Sequence, residues 1–282
     1  MNRQGKVWLV GAGPGDPELL TLKAVRVLGL ADVALVDDLV NPAVLTHLRS
    51  NARVIHVGKR GGCNSTPQAF IEKLLVSEAK RGFNVVRLKG GDPFMFGRGG
   101  EECAALAAAG IECEVVNGIT SGIAAPAALG IPVTHREVGR GVAFVTGHAH
   151  AGEPVDWAAL AKSGLTLVIY MGVAQCEQIV AALISGGMRA DMPAAVIQNA
   201  TLSGQRSITG RLDQLAVNVR AHEIGSPAIL VIGEVARSAM KSGDLVSAVS
   251  CADALSVRSY VHGQASADSH HQGDRARQKR RG

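Results

Sequence analysis

Three glycine-rich segments hold the residue types and spacings in this chain that are best suited to gripping a small ligand. The first is VGAGPGDPELLT, residues 10–21, directly after a short apolar run. Gly11, Gly13 and Gly15 let the backbone approach a bound molecule closely. A G-x-G-x-x-G phosphate turn would need its third glycine where Asp16 stands, and Pro14 sits inside the turn. A carboxylate at that mouth repels a pyrophosphate, which argues against a dinucleotide. Asp16 suits instead the N-cap of a helix that starts late, at Pro17 or Glu18.

The second segment, RLKGGDPFMFGRGGEE at 87–102, places Gly90, Gly91 and Asp92 where a strand gives way to a loop. Asp92 can accept hydrogen bonds from hydroxyl or ammonium groups, and GRGGEE opens a helix with acidic residues in its first turn. Arg98, set among glycines, is either a carboxylate binder or a surface arginine paired with Glu101 or Glu102. The third segment, VVNGITSGIAAPAALGIPVTHRE at 115–137, leads from Gly118 through Thr120 and Ser121 into a run of small residues. Those two hydroxyls either bind a ligand or cap the helix. His135 and Arg136 close the segment as candidate interdomain pairing groups.

The elements that must position these loops are legible as alternating periods. KVWLV, DVALVD, RVIHV, NVVRLKG and CEVV read as short buried strands, and amphipathic stretches such as PQAFIEKLLVSEAKRG separate them. This spacing predicts parallel βαβ units with helices over the sheet. A break rich in proline, glycine and charge near residue 137 precedes a second set, from VAFVTG to SPAILVIGEV. The expected fold class is therefore α/β, with a domain at 1–137, a second α/β domain at 138–245 and a basic tail at 246–282, expected to be disordered. Open parallel sheets bind ligands beyond their strands' carboxyl ends, so two such domains enclose a cleft.

Composition narrows the function classes. The net charge is +5, but three of those units come from residues 251–282, so the folded part is nearly neutral and nucleic acid is not an expected partner. Five scattered cysteines without a CxxC pair, and adjacent His270 and His271 on the tail, predict neither a disulfide framework nor a metal site. No stretch is long and apolar enough to act as a signal or span, so a cytoplasmic protein is expected.

The three segments occur in one order with VGKR at 57–60, VTGH at 145–148, YMG at 170–172, DMPAAVIQNAT at 191–201 and GSPAILVIG at 225–233. In that order, over about residues 5–240, the chain closely resembles the S-adenosylmethionine-dependent tetrapyrrole methylases, with their class III methyltransferase-like fold. FGRGGEE, THR and YMG together resemble the branch that methylates uroporphyrinogen III at C2 and C7, through precorrin-1 to precorrin-2. Other branches, acting on later corrin rings, diphthine or ribosomal RNA, are the alternatives, and a nucleic-acid binder using the basic tail is a rival of another class. The resemblance implies a homodimer that folds S-adenosylmethionine into the cleft, with no metal. By matching position it implies cofactor contacts from Pro14, Gly90, Gly91, Asp92, Met95, Thr120, Ser121, Met171, Ala200 and Ala228. It implies Asp37 as proton acceptor, Lys59 as proton donor, and Arg98 in substrate binding or proton removal. Read as residues, Asp37 serves equally as a strand-end cap and Lys59 as a carboxylate clamp.

The implied chemistry agrees with the composition. A sulfonium needs a neutral or electron-rich pocket, and transfer to a pyrrole carbon needs in-line placement more than a strong base. A substrate with eight carboxylates accounts for Arg98, Arg136 and Arg140 in a nearly neutral fold. Asn117 stands where the family often has proline and Cys63 lies in a variable loop, which touches loop detail only. The first strand is expected at about residue 6, so methylase activity alone is expected, without a fused upstream module.

Overall fold

Apolar runs long enough to be covered on both sides become the central strands of a parallel sheet. In the computed structural model, which describes residues 4–58, 66–148 and 154–241, this holds for β1 (Val7–Gly11), β2 (Val33–Val36) and β4 (Val85–Lys89), all wholly buried. Lys59, Cys63 and the tail from 246 lie outside the described residues. With β3 (Arg53–His56) and β5 (Cys113–Val116), the strands β1, β2 and β4 form a five-stranded parallel sheet in the order β3-β2-β4-β1-β5. α1 (Leu22–Leu28) packs with Trp8, Val10, Val36 and Leu88 on one face. α2 (Gln68–Lys80) and α3 (Gly99–Ala108) pack with Val7, Leu9, Leu35 and Val85 on the other.

This arrangement decides where a ligand can sit. The neighbours β1 and β4 send their connections to opposite faces, α1 on one and α3 on the other, so their carboxyl ends flank a crevice. The first glycine loop follows β1 and the GGDP loop follows β4. Asp16 caps the short 3-10 turn Pro17–Leu19 by accepting from Glu18 N at 2.9 Å, and α1 begins only at Leu22. The late helix start expected from Asp16 and Pro17 is what the backbone adopts.

After α4 (Ser121–Ala127) the chain builds β6 (Val142–Thr146), α5 (Trp157–Lys162), β7 (Thr166–Tyr170), α6 (Cys176–Ser185), β8 (Pro193–Gln198), β9 (Arg206–Arg211), α7 (Leu212–Ala221), β10 (Ala228–Ile232) and α8 (Arg237–Lys241). The strands form a second sheet, β6-β7-β10-β8-β9. It departs from the parallel pattern expected along the whole chain. Only β6 and β7 run parallel, and the other three pairings are antiparallel. Residues 199–205 join β8 to β9 without a helix, which is too short for a parallel crossover.

One face of this sheet packs Leu167, Ile169, Val196 and Leu230 against Ile179, Leu183 and Leu215 from α6 and α7. The other face, with Val168, Tyr170, Ile197 and Val231, is covered by Ala125 of α4, by Ile131 and by Met95. Residues that precede the second sheet in sequence thus complete its core. Among the described residues no helix is long and apolar enough to cross a membrane.

Leu230 is fully buried on the central strand while Leu22 is 90% exposed at a helix start. In urea unfolding, Leu230→Ala should cost about 2–5 kcal/mol, whereas Leu22→Ala should stay within about 0.5 kcal/mol of the parent.

Candidate active site

Three strand ends meet at the crevice, and Gly11, which ends β1, and Gly118, two residues past β5, have no room for a larger residue. A Cβ on Gly118 would lie 2.2 Å from Gly91 O and 2.8 Å from Gly11 C. One on Gly11 would lie 2.5 Å from Gly118 N. Gly13 and Gly91 then form a two-hydrogen-bond bridge, with N···O distances of 3.2 and 2.7 Å, that ties the loop after β1 to the loop after β4. Gly91 adopts φ 65°, a conformation that costs glycine little.

Asp92 extends this joint to the loop after β5. Its carboxylate accepts from Phe94 N at 2.8 Å, and from Gly118 N and Asn117 Nδ2 at 3.2 Å each. The group read from sequence as a free acceptor for a ligand is thus largely occupied in shaping the loops. A cavity of about 470 Å³ opens beside it, lined by Asp92, Phe94, Met95, Gly118, Thr120 and Ile123, among others. Apart from Asp92 these linings are apolar or hydroxyl-bearing.

Tyr170, at the end of β7, joins this site to the second sheet; the sequence marks it only as part of YMG, without a role of its own. Its hydroxyl lies 2.6 Å from Thr120 Oγ1 and accepts from Gly122 N at 2.8 Å. Thr120 stands at the N-cap of α4 without capping it, so its hydroxyl serves not as a cap but as a partner of Tyr170 at the cavity wall. Burial pushes the Tyr170 phenol above its ordinary range. Phe96 packs on the same ring at 4.8 Å between centroids. A tyrosine ending a buried strand, in a chain with two tyrosines, was the available signal.

The next residues along the second sheet gather at the same end. Met171 follows β7, Ala200 follows β8, and Ala228 begins the antiparallel β10 between them. Pro14 and Gly15 reach this end. Asp16 N donates to Thr201 Oγ1 at 3.0 Å, and a Cβ on Gly15 would lie 3.3 Å from Ala200 O. Phe96, Arg98, Met171, Asn199 and Thr201 all take positive φ in these loops. Side chains other than glycine enter that region only where surrounding structure holds them, at about 1–3 kcal/mol each. The structure therefore gathers Pro14, Gly90, Gly91, Asp92, Met95, Thr120 and Ser121 around one crevice, with Met171, Ala200 and Ala228 on the facing sheet end.

The three residues singled out for catalysis are placed differently. Asp37, just past β2, is no strand-end cap. Its Oδ1 accepts from Arg87 Nη2 at 2.7 Å, and its side chain is 31% exposed. Arg98 is exposed and holds Glu101 in a two-point pair at 2.8 and 2.7 Å, which is the surface pairing weighed beside carboxylate binding. Lys59 is not among the described residues. Behind Asp37 lie buried groups that the sequence reading did not select. Arg87 and Lys89 project from one face of β4, and both reach Glu102 of α3. Burial, and next the charge of Arg87, pull the Lys89 ammonium below the ordinary lysine range. Two cations two residues apart in a buried strand were the visible sign.

A parallel sheet with a ligand-sized cavity among the loops after β4 and β5, joined through α4 to a second mixed sheet, defines a two-lobed α/β ligand-binding protein. Residues 6–216 match the tetrapyrrole (corrin/porphyrin) methylases, and the chain belongs to that family. It is 59% identical over 233 residues to a uroporphyrinogen-III C-methyltransferase of Pseudomonas aeruginosa, covering 83% of this chain and 95% of that relative. A solved structure of the Thermus thermophilus uroporphyrin-III C-methyl transferase complexed with S-adenyl homocysteine matches with TM-score 0.71 and 40% identity. The match covers 83% of this chain and 99% of that one. A cobalt precorrin-4 methyltransferase matches with TM-score 0.74 at 26% identity, covering 82% and 95% of the two chains.

Glycine contacts at the joint and elsewhere separate in a thermal melt. Gly118→Ala should destabilise by about 2 kcal/mol or more, because backbone meets the new methyl. Gly100→Ala, where nothing lies within 4 Å of the new atom, should stabilise helix α3 by about 0.5–1 kcal/mol.

Proposed function

We propose that this protein transfers methyl groups from S-adenosylmethionine to C2 and C7 of uroporphyrinogen III, giving precorrin-2 through precorrin-1. The product feeds siroheme, cobalamin or heme d1 synthesis. The observation that carries this reading is the cavity of about 470 Å³ beside the Gly91–Gly118 joint. Its size falls within the range of about 300–1,000 Å³ usual for small-molecule sites. Its linings include no cation, and its one carboxylate is engaged by loop donors. Such a site suits a compact, positively charged sulfur compound. The named relatives support the choice of tetrapyrrole, and the Thermus thermophilus complex supports the choice of cofactor.

On this reading Pro14, Gly90, Gly91, Asp92, Met95, Thr120, Ser121, Met171, Ala200 and Ala228 hold S-adenosylmethionine. When bound, it supplies an electrophilic methyl group. Asp92 acts by holding the loops after β4 and β5 in register, and Tyr170 holds Thr120 at the cavity wall. The macrocycle is nucleophilic at its pyrrole carbons, so alignment accounts for most of the acceleration the protein provides. Asp37 accepts the ring proton and Lys59 donates one. Arg98, with Arg136 and Arg140, receives substrate carboxylates. Its pair with Glu101 is exposed, so exchanging that partner for a substrate carboxylate costs little. The protein works as a homodimer in the cytoplasm, and its two domains divide at residue 137.

Anaerobic incubation with uroporphyrinogen III and labelled S-adenosylmethionine should give a product heavier by two methyl groups. Methylation of RNA with none of the tetrapyrrole would overturn the assignment. Arg98→Ala should lower kcat about tenfold or more while the KM for S-adenosylmethionine stays within about twofold, and Asp92→Ala should chiefly raise that KM. Equal effects of both changes on both constants would refute the division of roles. Deleting residues 251–282 should leave methyl transfer intact, against the salt-dependent nucleic-acid binding that a tail-based function requires.

A further inference from the structure

The buried groups behind Asp37 form one connected set. Arg87, Lys89 and Glu102 are 2%, 3% and 0% exposed. Every nitrogen of the Arg87 guanidinium is engaged. Nε donates to Glu102 Oε1 at 3.0 Å, and Nη2 to Asp37 Oδ1 at 2.7 Å. Nη1 donates to the carbonyls of Leu88 at 3.2 Å and Leu35 at 3.5 Å. Glu102 is held in turn by Lys89 Nζ at 3.2 Å and by Gln68 Nε2 at 3.3 Å. Two carboxylates balance two cations, drawn from the loop after β2, from β4 and from α3, with Gln68 of α2 as a neutral prop.

Stability is a poor reason for such a cluster. Taking these charges out of water costs about as much as their attraction returns, and apolar residues of the same volume would serve the core as well. What the cluster provides is direction. A planar fork held at all three of its nitrogens cannot turn, so the carboxylate on its outer edge has one position. That outer carboxylate, Asp37, is the one member with a substantially exposed side chain, and among the described residues only its Oδ1 is engaged. Lys89 is a poor substitute for the fork. Its ammonium is a single point whose charged form burial disfavours, whereas arginine stays protonated.

We infer that Arg87 is the positioning residue of the reaction: anchored by Glu102 and two main-chain carbonyls, it holds one oxygen of Asp37 and leaves the other to meet the substrate. This rests on Asp37 being the proton acceptor. Arg87 touches neither substrate nor cofactor and acts through Asp37 alone.

A double-mutant cycle tests it, using full-length protein, uroporphyrinogen III and S-adenosylmethionine, with rates counted per S-adenosylhomocysteine site titrated by calorimetry. Arg87→Gln should lower kcat about tenfold or more, within the range of general acid–base effects, while both KM values stay within about threefold. Added to Asp37→Asn, it should slow the enzyme no further than Asp37→Asn alone. Arg87→Lys takes its place in the cycle if Arg87→Gln does not fold. It should stay slow as well, since one ammonium cannot hold Glu102 and Asp37 together. Wild-type kcat per site in the arginine variants beside a slow Asp37→Asn would sink the positioning role alone, as would losses that multiply in the double variant. Wild-type kcat in Asp37→Asn would remove the proton-acceptor reading and the positioning role with it.

Discussion

Backbone meets backbone where β1, β4 and β5 end, and most of the site follows from how close that contact is. Gly11, Gly91 and Gly118 lie so near one another that a single added carbon on Gly118 would overlap a carbonyl oxygen. With the backbones this close, the loops after β1 and β4 bond to each other through Gly13 and Gly91. Asp92 can then span to Gly118 and Asn117 across the strand between them. The cavity wall is therefore made largely of main chain and short side chains. Such a wall has few rotamers to lose when a ligand arrives and brings no competing charge to a cationic one.

The second lobe is joined to this wall by few but specific contacts. The Tyr170 hydroxyl serves Thr120 and Gly122 together, at a place where a Cβ on Gly122 would fall 2.1 Å from it. Thr201 meets Asp16 N in the same way on the other side of the crevice. α4 precedes the second sheet in the chain, yet Ala125 and Ile131 are part of that sheet's core. Ligand loops and core are thus shared between the lobes, and a change on one sheet's edge is felt at the other.

Charge is distributed by the same economy. The exposed arginine, Arg98, holds a partner that solvent can replace. The buried arginine, Arg87, is held at each of its three nitrogens. One residue type thus has two behaviours, separated by burial: an adaptable contact at the rim and a fixed strut beneath it.

Much of this was legible from residue types alone. Short apolar runs marked β1, β2, β4, β7 and β10, because burial on both faces demands nearly uninterrupted Val, Ile and Leu, and Asp16 with Pro17 marked the delayed helix start. The glycine clusters marked the crevice, since only glycine serves where backbones converge. What the linear order could not carry were facts created by partners far along the chain. The antiparallel direction of β8, β9 and β10 depended on which strands came to lie side by side. The pairing of Thr120 with Tyr170 spans fifty positions. The fates of Arg87 and Arg98 were decided by the partners the fold brought to each, Glu102 and Asp37 for one and Glu101 for the other. Residue identity determines which chemistry a position can perform, but only the fold decides which neighbours and how much water that position has.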